Sequence, residues 1–161
     1  MKVSAIQMNM KFADPDYNFA HAEQLVRKAA AAGPDVIVLP ETWNTGFFPK
    51  ENLTALCDHN GERVKAVLGG LAAELKVNIV AGSVSNVKDG KVYNTCYVFA
   101  PDGQLAAKHR KMHLFDIDVA GGQRFMESET LTAGNSVTTF ETPWGVVGVC
   151  VCFDFRFTEL S

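Results

Sequence analysis

The sequence lacks the charge excess that marks proteins binding nucleic acid. Its 15 basic and 18 acidic residues nearly cancel to a formal net charge of −3, and no run of like charge is longer than His109-Arg110-Lys111. Nucleic acid is therefore not an expected partner. Apolar stretches of membrane-spanning length are also missing, and the first residues show neither the charged nor the apolar region of a signal peptide. We expect no membrane association and a cytoplasmic location.

Cysteine is scarce and irregularly spaced, at positions 57, 96, 150 and 152. The spacing fits neither a zinc ribbon nor the dense disulfide framework of a small secreted domain, so we expect reduced thiols. Cys150 and Cys152 could bind zinc together with His109 and His113. However, thiols two residues apart on a strand are ~6.5 Å from each other and do not converge on one ion. We therefore predict no metal and no cofactor.

Repeats, low-complexity segments and internal linkers are absent too. The 161 residues, 47% of them hydrophobic, suffice for one domain with its own core, and we predict a single α/β domain over residues 1–161. Apolar runs and alternating patterns predict strands, and apolar residues at helical spacing predict helices. The predicted strands cover 2–9, 36–39, 77–83, 92–100, 104–108, 137–141 and 145–151, and the predicted helices cover 18–32 and 61–76.

Cys152 is the first candidate for chemistry. It follows the apolar strand at 145–151 and precedes the apparent start of a helix at 156, an order that exposes a side chain at a sharp turn. The backbone N–H of Phe153 would then face an attacked carbonyl oxygen, and the helix N-terminus would favour the thiolate. A buried structural cysteine is the alternative, since cysteine is among the most buried residue types.

Two charged residues are further candidates. Glu41 lies just beyond the carboxyl end of the strand at 36–39, where open α/β sheets bind ligands, although a solvated loop residue would look the same. Lys111 lies in the polar stretch 109–135, which lacks periodicity and is typical of a disordered or functional loop. The apolar residues that follow Lys111 indicate that part of this segment turns inward.

Three segments together resemble the nitrilase superfamily of carbon–nitrogen hydrolases. They are Leu39-Pro40-Glu41, His109-Arg110-Lys111-Met112-His113-Leu114-Phe115 and Cys152-Phe153-Asp154-Phe155-Arg156-Phe157, in the order of the family. Tyr93-Asn94-Thr95 and Phe125-Met126-Glu127-Ser128 extend the resemblance to the whole chain. It implies a nitrilase-like αββα sandwich with mixed sheets. Because family domains continue well beyond the nucleophile, we expect a chain truncated after the nucleophile turn, with the C-terminal part of the sandwich missing.

The resemblance also implies the roles of individual residues. Glu41, Lys111 and Cys152 carry over as a catalytic Glu-Lys-Cys triad, and Glu127 carries over as a second glutamate beside the lysine. Amide cleavage needs a strong nucleophile, a proton for the leaving group and stabilisation of an oxyanion, and these residues supply them.

The substrate-binding residues are predicted around this triad. The backbone N–H of Phe153 would hold the oxyanion, and Phe115 and Trp43 would wall a small pocket, although plain packing also explains both rings. We expect Arg156 to pair with a neighbouring acid such as Glu159 or Asp154 rather than with substrate.

Two segments look most like the ω-amidase branch, which hydrolyses monoamides of short dicarboxylic acids. They are Glu41-Thr42-Trp43-Asn44-Thr45-Gly46 and Leu114-Phe115-Asp116-Ile117-Asp118. The implied reaction converts a small carboxamide, such as 2-oxoglutaramate, to a carboxylate and ammonia through a cysteine thioester. Nitrilase and N-carbamoyl amidohydrolase specificity are alternatives. The expected partner is a small-molecule amide, and we expect a homodimer because family members commonly dimerise.

Two further hypotheses differ from an amidase with this triad. The chain would in one case be an inactive or partner-dependent fragment of such an enzyme, which folds incompletely by itself. In the other case it would be a Cys-His hydrolase, in which His109 or His113 activates Cys152. That enzyme would lose a limb of its pH–rate profile on histidine substitution and would tolerate Glu41→Gln.

Overall fold

A mixed β-sheet lies at the centre of the computed structural model, which describes residues 1–49 and 51–160. Its strands are β1 (Val3–Ala5), β2 (Val36–Val38), β3 (Asp58–His59), β4 (Asn78–Lys88), β5 (Lys91–Phe99) and β6 (Leu105–Arg110). Strand β2 pairs in parallel with β1 and with β4, whereas β5 pairs antiparallel with β4 and with β6. Strand β3 adds in parallel to the C-terminal end of β4. The predicted α/β class is confirmed.

Helices precede or connect these strands. They are α1 (Pro15–Ala30), α2 (Leu53–Leu56), α3 (Glu62–Val64), a π-helical segment (Lys65–Gly69) and α4 (Gly70–Leu75). Helix α1 begins where the Asp14 side chain accepts the N–H of Tyr17 and Pro15 fills the first position. The helix predicted at 61–76 is present, but the π-helical segment interrupts it. Among the described residues, no helix is long and apolar enough to cross a membrane.

The main core lies between the sheet and the layer formed by α1, the π-helical segment and α4. Phe19 and Val26 of α1 and Leu68 of the π-helical segment pack with Ile37 of β2 and Ile79 of β4. Burying each of these side chains contributes roughly 1.5–3 kcal/mol relative to leaving it exposed. This layer therefore fixes β2 and β4, the two strands that position Glu41.

Two antiparallel hairpins follow the sheet. They are β7 (Asp116–Asp118) with β8 (Arg124–Met126), and β9 (Thr139–Thr142) with β10 (Gly145–Gly148). A second, smaller core joins the β9–β10 region to β5 and β6. Its members are Cys96, Val98, Ala107, Val149 and Val151, with Val80 and Phe140 packed against them. A helix layer, a sheet and part of a second sheet are thus stacked in order.

The observed elements differ from the predicted ones in three places. Strand β10 stops at Gly148, and 3₁₀ helices at Cys152–Arg156 and Thr158–Leu160 replace the predicted helix start. Strand β4 continues to Lys88, past its predicted end, because its second half pairs with β3 and β5. The polar stretch 109–135 contains the β7–β8 hairpin and a 3₁₀ helix at Glu127–Glu129.

Candidate active site

Glu41 lies in the loop that follows β2. The Pro40 carbonyl in this loop accepts the N–H of Ser83 at 3.2 Å, which fastens the loop to β4. Strand β4 is irregular at this point, and Gly82 has a φ of 52°. A Cβ on Gly82 would overlap the carbonyl oxygens of Leu39 and Pro40, so only glycine permits this close approach. The bulge therefore sets the position of Glu41.

The carboxylate of Glu41 is held by an asparagine and a lysine. Its Oε1 accepts hydrogen bonds from Asn94 Nδ2 at 2.8 Å and from Lys111 Nζ at 3.0 Å. Asn94 is fully buried on β5, and its backbone carbonyl accepts the N–H of Lys111 at 2.9 Å. One residue thus orients both the acid and the lysine. Asn94 is not among the predicted site residues, although an amide between apolar strand residues is a signal that could identify it.

Lys111 lies directly after β6, and its side chain is 1% exposed. Its Nζ contacts Glu41 Oε1 at 3.0 Å and Glu127 Oε1 at 2.9 Å. Burial works to lower the pKa of Lys111, but the charges and hydrogen bonds of the two glutamates outweigh it and raise the pKa above its ordinary value. The lysine is therefore a fixed positive charge at neutral pH.

Glu127 begins the 3₁₀ helix that follows β8, and its side chain is 3% exposed. Its Oε2 accepts the N–H of Phe115 at 2.8 Å, and its own N–H donates to the Phe115 carbonyl at 3.2 Å. Because Phe115 precedes β7 and Glu127 follows β8, these bonds close the base of the hairpin. They also hold the carboxylate against Lys111.

Cys152 lies in a strained turn, with a φ of 48° that residues other than glycine rarely adopt. Partial burial, followed by the charge of Glu41, raises the pKa of the Cys152 thiol, and the charge of Lys111 only partly opposes this. The prediction that a helix N-terminus favours the thiolate is wrong, because a short 3₁₀ helix replaces the helix and carboxylates lie near the sulfur. The thiol keeps its proton at neutral pH and needs a base to become a nucleophile.

Beside the nucleophile, Phe153 and Phe115 lie in contact. The two rings meet edge to face with centroids 5.2 Å apart, and Phe115 also packs on Phe125 at 6.1 Å. Within the described residues no acceptor takes the backbone N–H of Phe153, so it is available to an oxyanion. The substrate contacts of Phe153 and Phe115 stay predictions.

Two predictions about neighbouring residues are wrong. Trp43 does not wall a pocket, because it is fully buried in the main core, donates its indole N–H to the Ala81 carbonyl at 2.9 Å and packs on Phe19 at 4.7 Å. Arg156 is exposed and takes part in none of the ion pairs formed within the described chain. Of its two predicted partners, Glu159 and Asp154, the second is buried and bonded to histidines instead.

Neither histidine of the basic segment is directed at the sulfur. His109 Nε2 lies 3.0 Å from Asp154 Oδ2, and His113 Nδ1 lies 3.1 Å from Asp154 Oδ1. The geometry therefore disfavours the hypothesis of a Cys-His hydrolase. In the part of the chain that the structure covers, no cluster of three or more histidine, cysteine or acidic side chains could hold a metal ion.

A cavity of about 260 Å³ lies between the main sheet and the β9–β10 region. Glu41 and Cys152 form part of its wall, and most of the remaining lining is aliphatic, from β2, β4 and the residues around β10. Lys111 and Phe115 do not line it. The volume is below the roughly 300–1,000 Å³ of common ligand pockets, so only a small molecule would fit.

The comparison with protein families decides the classification. A family model described as carbon-nitrogen hydrolase matches residues 2–161. The chain belongs to the carbon–nitrogen hydrolase family. It is 45% identical to "Omega-amidase NIT2" of Danio rerio over 164 residues, which cover 99% of this chain and 57% of that protein. It is 40% identical to the Homo sapiens protein of the same name over 160 residues, with the same two coverages.

The fold of this carbon–nitrogen hydrolase chain matches solved relatives. Nit3 of Saccharomyces cerevisiae, described as a member of branch 10 of the nitrilase superfamily, superimposes with a TM-score of 0.84 at 32% identity. The match covers 99% of this chain and 58% of Nit3. The predicted nitrilase-like fold is therefore confirmed. The chain spans little more than half the length of the relatives it matches.

Of the predicted site residues of this hydrolase chain, the structure brings Glu41, Lys111 and Glu127 into direct contact. It places Cys152 where the charges of all three act on its thiol. Trp43 is the one that it removes from the site.

Proposed function

We propose that the protein is a thiol-dependent amidase that hydrolyses an ω-monoamide of a short dicarboxylic acid, such as 2-oxoglutaramate. The observation that carries the proposal is the cluster of Glu41, Lys111 and Glu127 beside Cys152, in which Lys111 and Glu127 are buried. The raised pKa of the Cys152 thiol implies that it is protonated at neutral pH. Such a thiol requires an adjacent base, and Glu41 is in position to be one. Identity of 40–45% to proteins named omega-amidase supports the substrate class.

In the first half of the reaction, Glu41 accepts the Sγ proton of Cys152 while Sγ attacks the amide carbon. Negative charge then develops on the carbonyl oxygen. The Lys111 ammonium and the Phe153 N–H stabilise it, each donor contributing roughly 3 kcal/mol. As the C–N bond breaks, Glu41 gives its proton to the leaving nitrogen. Ammonia departs and a thioester on Cys152 remains.

In the second half, Glu41 accepts a proton from water, and the water oxygen attacks the thioester carbon. The same two donors hold the second oxyanion. When the C–S bond breaks, the Cys152 sulfur recovers a proton from Glu41 and the carboxylic acid leaves. The net reaction is amide plus water to carboxylic acid plus ammonia, which become carboxylate and ammonium in neutral solution, and every enzyme group returns to its starting protonation state.

Glu127 positions Lys111 and Asn94 positions Glu41, and neither contacts the amide in this mechanism. Glu127 holds the Lys111 ammonium at 2.9 Å, and Asn94 holds the Glu41 carboxylate at 2.8 Å. Lys111, Glu127 and Asn94 are buried, so water does not compete for the Lys111–Glu127 bond and reaches the Asn94–Glu41 bond only from the side of Glu41. Pre-arranged charges of this kind need no reorganisation when the oxyanion forms.

The partner we propose is a small amide, and the assembly we propose is a homodimer. Four free cysteines, of which Cys57 and Cys96 are buried, support the reducing cytoplasm as the compartment. Sedimentation of the purified protein tests the dimer, since a single species at the monomer mass would contradict it.

The activity is tested by measuring ammonia release from a panel of ω-monoamides, nitriles and N-carbamoyl compounds. We expect turnover of ω-monoamides by the wild type, no measurable turnover by Cys152→Ala and full turnover by the control Cys57→Ala. Unchanged ammonia release from Cys152→Ala would refute the proposed mechanism. Turnover of nitriles or N-carbamoyl compounds alone would establish one of the alternative specificities.

A second proposal is that the chain is an inactive or partner-dependent fragment of such an amidase. The observation that favours it is the exposure of large apolar side chains around the β9–β10 hairpin, where Val137 is 65%, Trp144 45% and Val146 70% exposed. The reading frame beyond codon 161 tests this proposal. A frame that continues into further strands and helices supports it, and a stop codon at that point counts against it.

A further inference from the structure

The most densely bonded side chain near the site is Asp154, which the proposed reaction does not use. It lies in the 3₁₀ helix Cys152–Arg156 and is fully buried. Its carboxylate accepts five hydrogen bonds, and the donors come from two separate stretches of the chain. Oδ1 accepts from Met112 N at 3.1 Å, His113 N at 2.8 Å and His113 Nδ1 at 3.1 Å, and Oδ2 accepts from His109 Nε2 at 3.0 Å and Val151 N at 3.1 Å.

These donors flank two of the site residues along the chain. His109 and Met112 lie on either side of Lys111, and Val151 directly precedes Cys152. One carboxylate therefore ties the lysine segment to the nucleophile turn. Burial works to raise the pKa of Asp154, but the hydrogen bonds from His109, His113 and Val151 lower it to about 2, so the carboxylate is ionised throughout the range in which enzymes operate.

The turn that Asp154 anchors is the strained one. Cys152 has a φ of 48°, a conformation that costs free energy and persists only where the surroundings impose it. Asp154 restrains this conformation from two directions. It accepts the N–H of Val151, the residue before Cys152, and the N–H groups of Met112 and His113 in the lysine segment. The ring of His113 adds a further restraint, since it stacks on Phe157 with centroids 3.5 Å apart.

We propose that Asp154 is a positioning residue, which holds the Cys152 thiol at Glu41 and Lys111 by bonding the nucleophile turn to the segment that carries the lysine. Asp154 itself touches no substrate atom in this role. The proposal deepens the proposed amidase function and rests on it for its kinetic test. The reactivity of the thiol provides a second test that needs no substrate.

The first variant is Asp154→Asn, which keeps the size of the side chain but turns its amide NH2 toward at least one backbone N–H, a group that can only donate. With ω-monoamide as substrate, we expect kcat to fall on the order of 100-fold with KM within about threefold, because a displacement of about 1 Å at the reacting atoms has an effect of this size. Asp14→Asn is the matched control. It makes the same chemical change at the start of α1, where the side chain bonds only Tyr17 and Lys11, and it retains the helix cap.

The second readout is the rate at which iodoacetamide alkylates Cys152 as a function of pH, with the labelled peptide identified by mass spectrometry. In the wild type, burial and Glu41 raise the pKa of the thiol, so the alkylation midpoint lies above that of an ordinary cysteine. In Asp154→Asn, the released turn moves the sulfur away from Glu41, which raises the pKa of the thiol in the wild type, and the midpoint falls toward the ordinary value of about 8.5. A residue that only stabilised the fold would leave this midpoint unchanged.

His113→Phe decides the question if Asp154→Asn does not fold. It keeps a ring to stack on Phe157 and removes only the Nδ1 hydrogen bond. We expect a roughly three- to tenfold lower kcat, the range for loss of one typical hydrogen bond, because the other four bonds to Asp154 remain, and a smaller downward shift of the same alkylation midpoint.

The outcomes separate the inference from the proposed function. A folded Asp154→Asn protein with wild-type kcat and a wild-type alkylation profile overturns the inference, as does an unchanged His113→Phe protein where Asp154→Asn is unfolded. If the wild type hydrolyses no amide, the proposed function fails, and the alkylation profiles alone decide the role of Asp154.

Discussion

Removing the positive charge of Lys111 is a sharp test of the buried cluster. Lys111 is 1% exposed and Glu127 is 3% exposed, so Lys111→Met leaves the Glu127 carboxylate buried without its cation. Loss of one partner from a buried ion pair costs about 3–5 kcal/mol of folding free energy. Since Glu127 retains the hydrogen bond from the Phe115 N–H, we expect the lower end of this range, about 3 kcal/mol, at pH 8.

A second variant isolates the electrostatic part of this cost. The double variant Lys111→Met/Glu127→Gln removes both charges, and the side-chain amide that replaces the carboxylate can still accept the Phe115 N–H, so we expect about 2 kcal/mol of the loss to be recovered.

The assay is urea unfolding followed by tryptophan fluorescence, which the fully buried Trp43 reports. Lys28→Met, the same change at an exposed position of α1, serves as the control and should alter stability by less than about 0.5 kcal/mol. Two results would show that the assignment of a buried ion cluster is wrong. One is a loss of unfolding free energy below about 1 kcal/mol in Lys111→Met, and the other is a double variant that is no more stable than Lys111→Met.

Three other perturbations have defined outcomes. Asn94→Ala removes the amide bond to Glu41, so steady-state kinetics should show about a tenfold lower kcat with little change in KM; an unchanged kcat would deny Asn94 its role. Because the pKa of Asp154 is lowered from 3.8 to about 2, its ionised form stabilises the fold above pH 4. About 2 kcal/mol should then disappear as the pH falls from 4 to 2, a loss that acid titration of the wild type should show and that of Asp154→Asn should lack. Gly82→Ala forces a Cβ into backbone carbonyl oxygens and should lower the melting temperature sharply, whereas Gly70→Ala, with open space around it, should not.

The first half of the fold could be predicted because its signals are local. Continuous aliphatic residues mark β2, and a capped amphipathic pattern ending at Gly33 marks α1. The β7–β8 hairpin could not be predicted, because its strands are short and its base is closed by bonds between Glu127 and Phe115. No periodicity in the sequence records a contact of that kind.

The contacts of Lys111 with Glu41 and Glu127 could be expected from the resemblance of three segments to one family. The residues that hold these side chains could not. Asn94 and Asp154 act through hydrogen bonds to residues far away in the chain, such as Glu41 and His109. Trp43 lies two residues after Glu41 in the sequence, which suggests a place at the site. In the structure, however, the loop directs the Trp43 ring toward Phe19 in the core.

The pKa of the Cys152 thiol shifts in the direction opposite to the prediction. A helix N-terminus would lower the pKa of Cys152, but the chain forms a 3₁₀ helix there, and partial burial and the charge of Glu41 raise the pKa. This difference strengthens the role of Glu41, since a protonated thiol must give up its proton before it can attack.

Capture of the thioester would show whether the reaction passes through Cys152. The protein is mixed with an ω-monoamide, quenched in acid during turnover and analysed by mass spectrometry after digestion. We predict an acyl adduct on the peptide that contains Cys152, sensitive to hydroxylamine and accumulating when the water-activating step is slowed. Turnover of the amide with no adduct on Cys152, or with the adduct on another residue, would contradict the account.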